Sequence, residues 1–238
     1  MNKENEKSLA RLKELFAELG SDTVVDYDPP WRKHRSPYRV FLAEMLLVRT
    51  RADAVARRFE DVISKYPDIV SLATADVDEV ASVIRPLGLT KRASYLVRAA
   101  RFILENYKGI IPERIEDLVR IPGVGPYTAS AIAAFAFGRA LVPADVNVLR
   151  FLSRVTGLKM EHATKGSREL RKLALLLSES ELRIPSERLL DFTRLICRPR
   201  RPACDRCALS KYCSHYLGKH GGLGVECDEP HKRVPHDD

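Results

Sequence analysis

Four cysteines, Cys197, Cys204, Cys207 and Cys213, fall within seventeen residues at the spacing C-x6-C-x2-C-x5-C. So dense a group of thiols has three fates: disulfides, zinc or an iron–sulfur cluster. Disulfides need an oxidising compartment. The N-terminus, MNKENEKSLARLKELF, reads as a charged amphipathic helix rather than the apolar core of a signal peptide, so the chain is expected in the cytoplasm with its thiols reduced. Structural zinc usually takes two close pairs separated by a longer stretch. Here one C-x2-C pair is flanked by single cysteines, which suits a compact [4Fe-4S] cluster gripped by four thiolates better than a lone zinc ion. Cys227 stands apart and is expected to be a bystander.

The remainder reads as helix. Ala93, Leu96, Val97, Ala100, Ile103, Leu104 and Tyr107 recur at helical spacing. Similar apolar faces run over 5–19, 38–48, 51–65, 76–85, 145–156, 167–179 and 186–196, and no stretch alternates as a strand would. Pro and Gly punctuate these faces at Pro29-Pro30, Pro67, Gly88, Gly109 to Pro112, Pro122 to Pro126, Pro143 and Pro185. With 45% hydrophobic residues and no apolar run of membrane-spanning length, the chain reads as globular and not membrane-bound. Its net charge of +8 suits a polyanionic partner. The absence of Gln, with four Asn, resembles thermophile usage. The Gly-, His- and charge-rich segment 218–238 is expected to be disordered.

Three further segments carry chemistry. Leu118 to Ala129 contains Ile121-Pro122-Gly123-Val124-Gly125-Pro126-Tyr127, a short helix, a tight turn at Gly123 and Gly125, and a new helix with Pro126 in its first position. Such a helix-hairpin-helix leaves backbone N–H groups uncovered for a phosphate oxygen. Asp145 follows in Pro143-Ala144-Asp145-Val146-Asn147, where an Asp would cap the next helix. Between the first two cysteines, Arg198, Arg200 and Arg201 project from a Pro-stiffened loop, fitted both to offset an anionic cluster and to contact phosphates.

Cysteines, hairpin and Asp145 together resemble the endonuclease III/MutY superfamily of DNA glycosylases, over about Pro30 to Tyr216. The resemblance implies an all-α, two-domain fold. A six-helix domain with the helix-hairpin-helix would span 30–145, and 1–29 with 146–217 would form the iron–sulfur cluster domain from N- and C-terminal helices. It also implies double-stranded DNA as partner, a monomer acting at the nucleoid, a nucleotide flipped into a pocket between the domains, and a downstream AP endonuclease. Asp145 would be the catalytic carboxylate that stabilises an oxocarbenium-like sugar. Leu89 resembles the wedge that fills the vacated stack.

Departures from the pattern narrow the reaction. Bifunctional members carry a lysine two places after the second hairpin glycine, where it attacks the sugar as a Schiff base. Tyr127 stands there, and a phenol forms no imine, so little or no AP lyase activity is expected. Adenine enzymes usually place Ser there. Tyr resembles the archaeal enzymes that remove thymine or uracil opposite guanine. Pro30-Trp31-Arg32 through Glu44-Met45-Leu46-Leu47 resembles both the adenine and the thymine branches, with Trp31 and Tyr127 lining the base pocket and Glu44 acting on the base or the water. The paired Gln of adenine enzymes is replaced by Val48-Arg49, and the stretch after the cysteines is too short for the domain that reads oxidised guanine. Arg49 is a candidate to meet the widowed guanine. The expected function is therefore monofunctional excision of mispaired thymine or uracil, with adenine excision from A:G or A:8-oxoguanine as the alternative.

Overall fold

The computed structural model describes residues 12, 27–88, 90–160, 170, 174 and 186–220. The wedge candidate Leu89, Cys227 and the tail beyond 220 lie outside these residues, as do all but Leu12, Leu170 and Ala174 of the faces expected over 5–19 and 167–179. Among the described residues every regular element is helical. None of these helices is long and apolar enough to cross a membrane. The chain divides into two compact units, Asp26–Pro143 and a second that combines Met1–Val25 with Ala144–Asp238.

The first unit is built around α1 (Pro37–Leu47). Ser36 starts it, its side chain accepting from Arg39 N at 3.2 Å, with Pro37 in the first turn. Every residue from Val40 to Leu46 is buried, so this helix is enclosed on all sides rather than amphipathic. Against it pack α2 (Ala52–Lys65) and α5 (Arg92–Tyr107), and α3 (Ile69–Thr74) and α4 (Val77–Ile84) pack in turn on α5. Asp68 and Ser71 form a capping box on α3, and Asp76 caps α4 through Asp78 N and Glu79 N. Side chains tie helix ends together: Tyr38 Oη donates to Tyr66 O at 2.7 Å, and Arg101 Nε to Ala73 O at 2.9 Å. The core runs from Phe41 and Phe59 through Leu72, Ile84, Leu96 and Ile103 to Ile132. Each such side chain contributes about 1.5–3 kcal/mol by burial. The unit closes with the single turn α6 (Ile115–Leu118) and α7 (Pro126–Phe137).

In the second unit, α8 (Val146–Thr156) ends at Gly157, whose φ of 81° suits a left-handed cap. It packs against α9 (Ser186–Leu195) and α10 (Ser214–His220). Phe151 meets Phe192 edge-on with ring centres 5.8 Å apart. Short 3-10 turns at Cys204–Arg206 and Ser210–Tyr212 carry the chain between the cysteines.

Candidate functional site

The hairpin sits between α6 and α7. Val124 N bonds Ile121 O at 3.0 Å and Gly123 has φ +83°, a region that glycine enters without steric cost. A Cβ on Gly123 would also come within 3.1 Å of Met45 and 3.2 Å of Tyr95. Gly125 differs: a Cβ there would meet nothing within 4 Å. Gly125 is the N-cap of α7 and offers no side-chain cap to the first turn. With no capping side-chain oxygen supplied by its N-cap residue, the first turn of α7 makes a fitting anion cradle.

Tyr127 is the second residue of α7 and 38% exposed. Glu44, on α1, is only 6% exposed and lies between the buried apolar residues Val40 to Ala43 and Met45 to Leu46. Trp31 is 7% exposed and packs edge-on against Phe59 at 5.7 Å, so most of its ring belongs to the core. Arg49 is exposed in the turn after α1, with φ 54°.

In the second unit Asp145 is the N-cap of α8. One carboxylate oxygen accepts from Asn147 N and Val148 N, both at 2.8 Å, and the other from Asn147 Nδ2 at 2.6 Å. Burial pushes its pKa above the ordinary carboxylate value, while these donors and the Arg150 charge favour the ionised form. Asn147 Oδ1 in turn accepts from Arg150 Nη2 at 3.0 Å. Arg150 also donates to Cys197 O, from Nη2 at 2.8 Å and Nε at 3.1 Å. A continuous hydrogen-bonded path thus joins the carboxylate to the first cysteine.

All four thiols line one pocket, floored by Phe151, Val155, Phe192, Ile196 and Leu209. Among the described residues no three His, Cys, Asp or Glu side chains gather as ligands of one ion. Burial pushes the Cys207 thiol up to about 11, helped by Cys197, Cys213 and Cys204 and opposed by the N–H of Leu209. Burial likewise raises Cys213, against the N–H groups of Tyr216 and His215. Cys207 and Cys213, which ionise reluctantly alone yet meet N–H groups, share one pocket with Cys197 and Cys204, a donor set that fits a cationic metal group able to draw off their protons. Arg154 Nη1 approaches Cys197 Sγ at 3.5 Å and donates to Arg198 O at 2.7 Å, while Nη2 donates to Pro199 O at 2.9 Å. With these carbonyls turned inward, Arg198, Arg200 and Arg201 are exposed.

A family model described as "HhH-GPD superfamily base excision DNA repair protein" matches residues 42–175. The chain belongs to the HhH-GPD superfamily of base excision DNA repair proteins. It is 34% identical over 191 residues to a thymine/uracil-DNA glycosylase of Methanothermobacter thermautotrophicus, covering 79% of this chain and 86% of that protein. It is 36% identical over 201 residues to a thymine-DNA glycosylase of Aeropyrum pernix, covering 80% and 88%. A solved thermostable thymine-DNA glycosylase superposes with a TM-score of 0.72 at 30% identity, covering 90% of this chain and 97% of that one.

For this HhH-GPD chain, reading the sequence missed Asn147, Arg150 and Arg154. All three lie on α8; Asn147 meets its neighbours Asp145 and Arg150, but Arg150 and Arg154 find partners up to 47 residues further on, so no local pattern marks those two.

Proposed function

We propose that this protein is a monofunctional DNA glycosylase that hydrolyses the N-glycosidic bond of thymine or uracil mispaired with guanine in double-stranded DNA. The observation that carries this reading is Tyr127 at the position of the Schiff-base lysine, with the Asp145 carboxylate held by three donors. The thymine- and uracil-releasing relatives support it independently.

The hairpin holds the backbone through the leading N–H groups of α7, and Gly125 leaves room for a phosphate. Arg198, Arg200 and Arg201 add phosphate contacts, and Arg49 meets the guanine left behind. A mispaired nucleotide flips at low cost because its pairing is already weak. Tyr127 and Glu44 serve the base, Tyr127 as an aromatic wall and Glu44 as a polar group for the pyrimidine edge or the water, with Trp31 as a core backing. As the C1′–N bond breaks, its electron pair leaves with the base. The ionised Asp145 stabilises the cation at C1′. Water adds to C1′ and gives up a proton, leaving an abasic site and, after protonation, the free base. With no lysine at 127 the strand stays intact, and an AP endonuclease takes the product.

Cys197, Cys204, Cys207 and Cys213 would hold a 4Fe-4S cluster, which supplies structural cross-linking of the Arg-bearing loop. The protein works as a monomer in the cytoplasm, at the nucleoid. The deciding experiment is a panel of duplexes with T:G, U:G, A:G and A:8-oxoguanine, each read with and without alkali. Alkali-dependent strand breaks at T:G or U:G are expected. Breaks at the adenine duplexes alone would assign Glu44 to purine protonation and overturn this reading.

A further inference from the structure

The turn after α1 is held by a buried cation. Arg92, the first residue of α5, is 7% exposed. Its guanidinium donates to the carbonyls of Leu46 and Val48 and, at 3.0 Å, to Thr50 Oγ1. Thr50 N closes the turn onto Leu47 O at 3.0 Å, and Thr50 Oγ1 reaches Val48 O at 3.4 Å. The acceptors of Arg92 therefore bracket Arg49, which itself has a left-handed φ of 54°. Non-glycine residues hold that conformation only where their surroundings over-determine it. A buried guanidinium is costly unless well bonded, and the hydrogen bonds that the Arg92 guanidinium donates among the described residues go to the last turn of α1 and the turn that follows it. Its position also sets positive charge against the carbonyl end of α1, where the helix dipole is negative. Carbonyls turn inward to Arg92, while Val48 and Arg49 face outward and are exposed.

We propose that Arg92 is a positioning residue for mispair reading: it locks the 48–50 turn so that Arg49 presents its guanidinium to the base opposite the excised one, while Arg92 itself never touches DNA. This rests on the glycosylase reading above, in which Arg49 meets the widowed guanine.

Two duplexes test it by equilibrium binding, which needs no excision. One places a tetrahydrofuran abasic-site analogue opposite guanine. The other places it opposite 2-aminopurine, which lacks the O6 acceptor. An Arg–guanine contact discriminates by roughly 5- to 150-fold, so wild type is expected to favour guanine within that range. Arg49→Ala brings the ratio near one. Arg92→Lys, whose single ammonium cannot span both carbonyls and the hydroxyl, lowers the ratio at least about threefold, and adding it to Arg49→Ala lowers the ratio no further. Thr50→Val removes one acceptor from the far end of the turn, is expected to move the ratio the same way, and replaces Arg92→Lys should that variant not fold. Each ratio comes from one preparation, so inactive protein cancels. A wild-type ratio of one overturns the proposal. So does a wild-type-like ratio in both Arg92→Lys and Thr50→Val, because a merely structural arginine would weaken both complexes alike. Excision of T:G is measured in parallel: the expected ratios without any excision would retain the positioning role and refute the glycosylase reading instead.

Discussion

Asp145 is both a helix cap and the proposed catalytic group, and two substitutions separate these roles. Asp145→Asn retains an oxygen that can accept from Asn147 N and Val148 N, both 2.8 Å away, and Asn caps about as well as Asp. What it loses is the charge and the 2.6 Å bond from Asn147 Nδ2, because two amide groups would then face each other. One such bond is worth about 0.5–1.5 kcal/mol, partly offset by no longer burying a charge. For a chain of this size the melting temperature should fall by at most about 6 °C. Asp145→Ala loses the cap as well, roughly a further 0.5–2 kcal/mol, and should melt measurably lower than the Asn variant. Excision behaves differently. Both variants lack the anion, so both should lose roughly 10²–10⁴-fold in single-turnover rate. The assay is excess enzyme on a T:G duplex, quenched in alkali, beside thermal melts of the same preparations. Asparagine turnover within tenfold of wild type would remove the carboxylate from the chemistry. Rate losses that follow melting temperature, with Ala far worse than Asn, would reduce Asp145 to a cap.

Other outcomes follow from the same geometry. Tyr127→Lys should allow borohydride to trap protein on DNA as the reduced imine, and absence of the adduct would place residue 127 away from C1′. Gly125→Ala should change stability by less than about 0.5 kcal/mol yet weaken duplex binding roughly fivefold, whereas Gly123→Ala, at φ +83° and against Met45 and Tyr95, should destabilise the fold by about 1–3 kcal/mol; thermal melts with binding titrations distinguish them, and equal effects would refute the assignment. In the proposed reaction the ionised form of Asp145 does the work, and burial already raises its pKa, so the excision rate should fall as pH drops through it. Asn147→Ala withdraws a donor to the anion, and the acid limb of its pH–rate profile should lie at higher pH than wild type's. Purified protein should be brown with iron and sulfide, and Cys204→Ser should bleach it; a colourless protein containing zinc would overturn the cluster assignment.

The helical skeleton was legible because its faces are periodic. The face expected over 51–65 appears as Ala52–Lys65, and that over 145–156 as Val146–Thr156. The short helix Ile69–Thr74 gave no such signal, since six residues make fewer than two turns and their start is fixed by the Asp68–Ser71 box. At the candidate site, residues marked by local chemistry could be read: the cysteine spacing, the Gly-Pro turn, an Asp before a helix. Residues whose meaning is a distant carbonyl could not. Arg150 and Arg92 look like ordinary basic residues on amphipathic helices until the fold brings Cys197 O and Leu46 O to them. Trp31 shows the converse, since its contact with Phe59 assigns much of its ring to packing.

The division of the chain also sets an order of assembly. Asp26–Pro143 is contiguous, whereas the other unit combines two separate stretches of sequence, Met1–Val25 and Ala144–Asp238. On the ribosome, where domains form as they emerge, the hairpin unit can complete while Asp145 and all four cysteines are still unmade. A stalled or prematurely terminated chain would then carry the hairpin proposed to hold a DNA backbone without the carboxylate proposed to stabilise the cation at C1′. Asp145 and the four cysteines therefore join a hairpin unit whose own chain is already made.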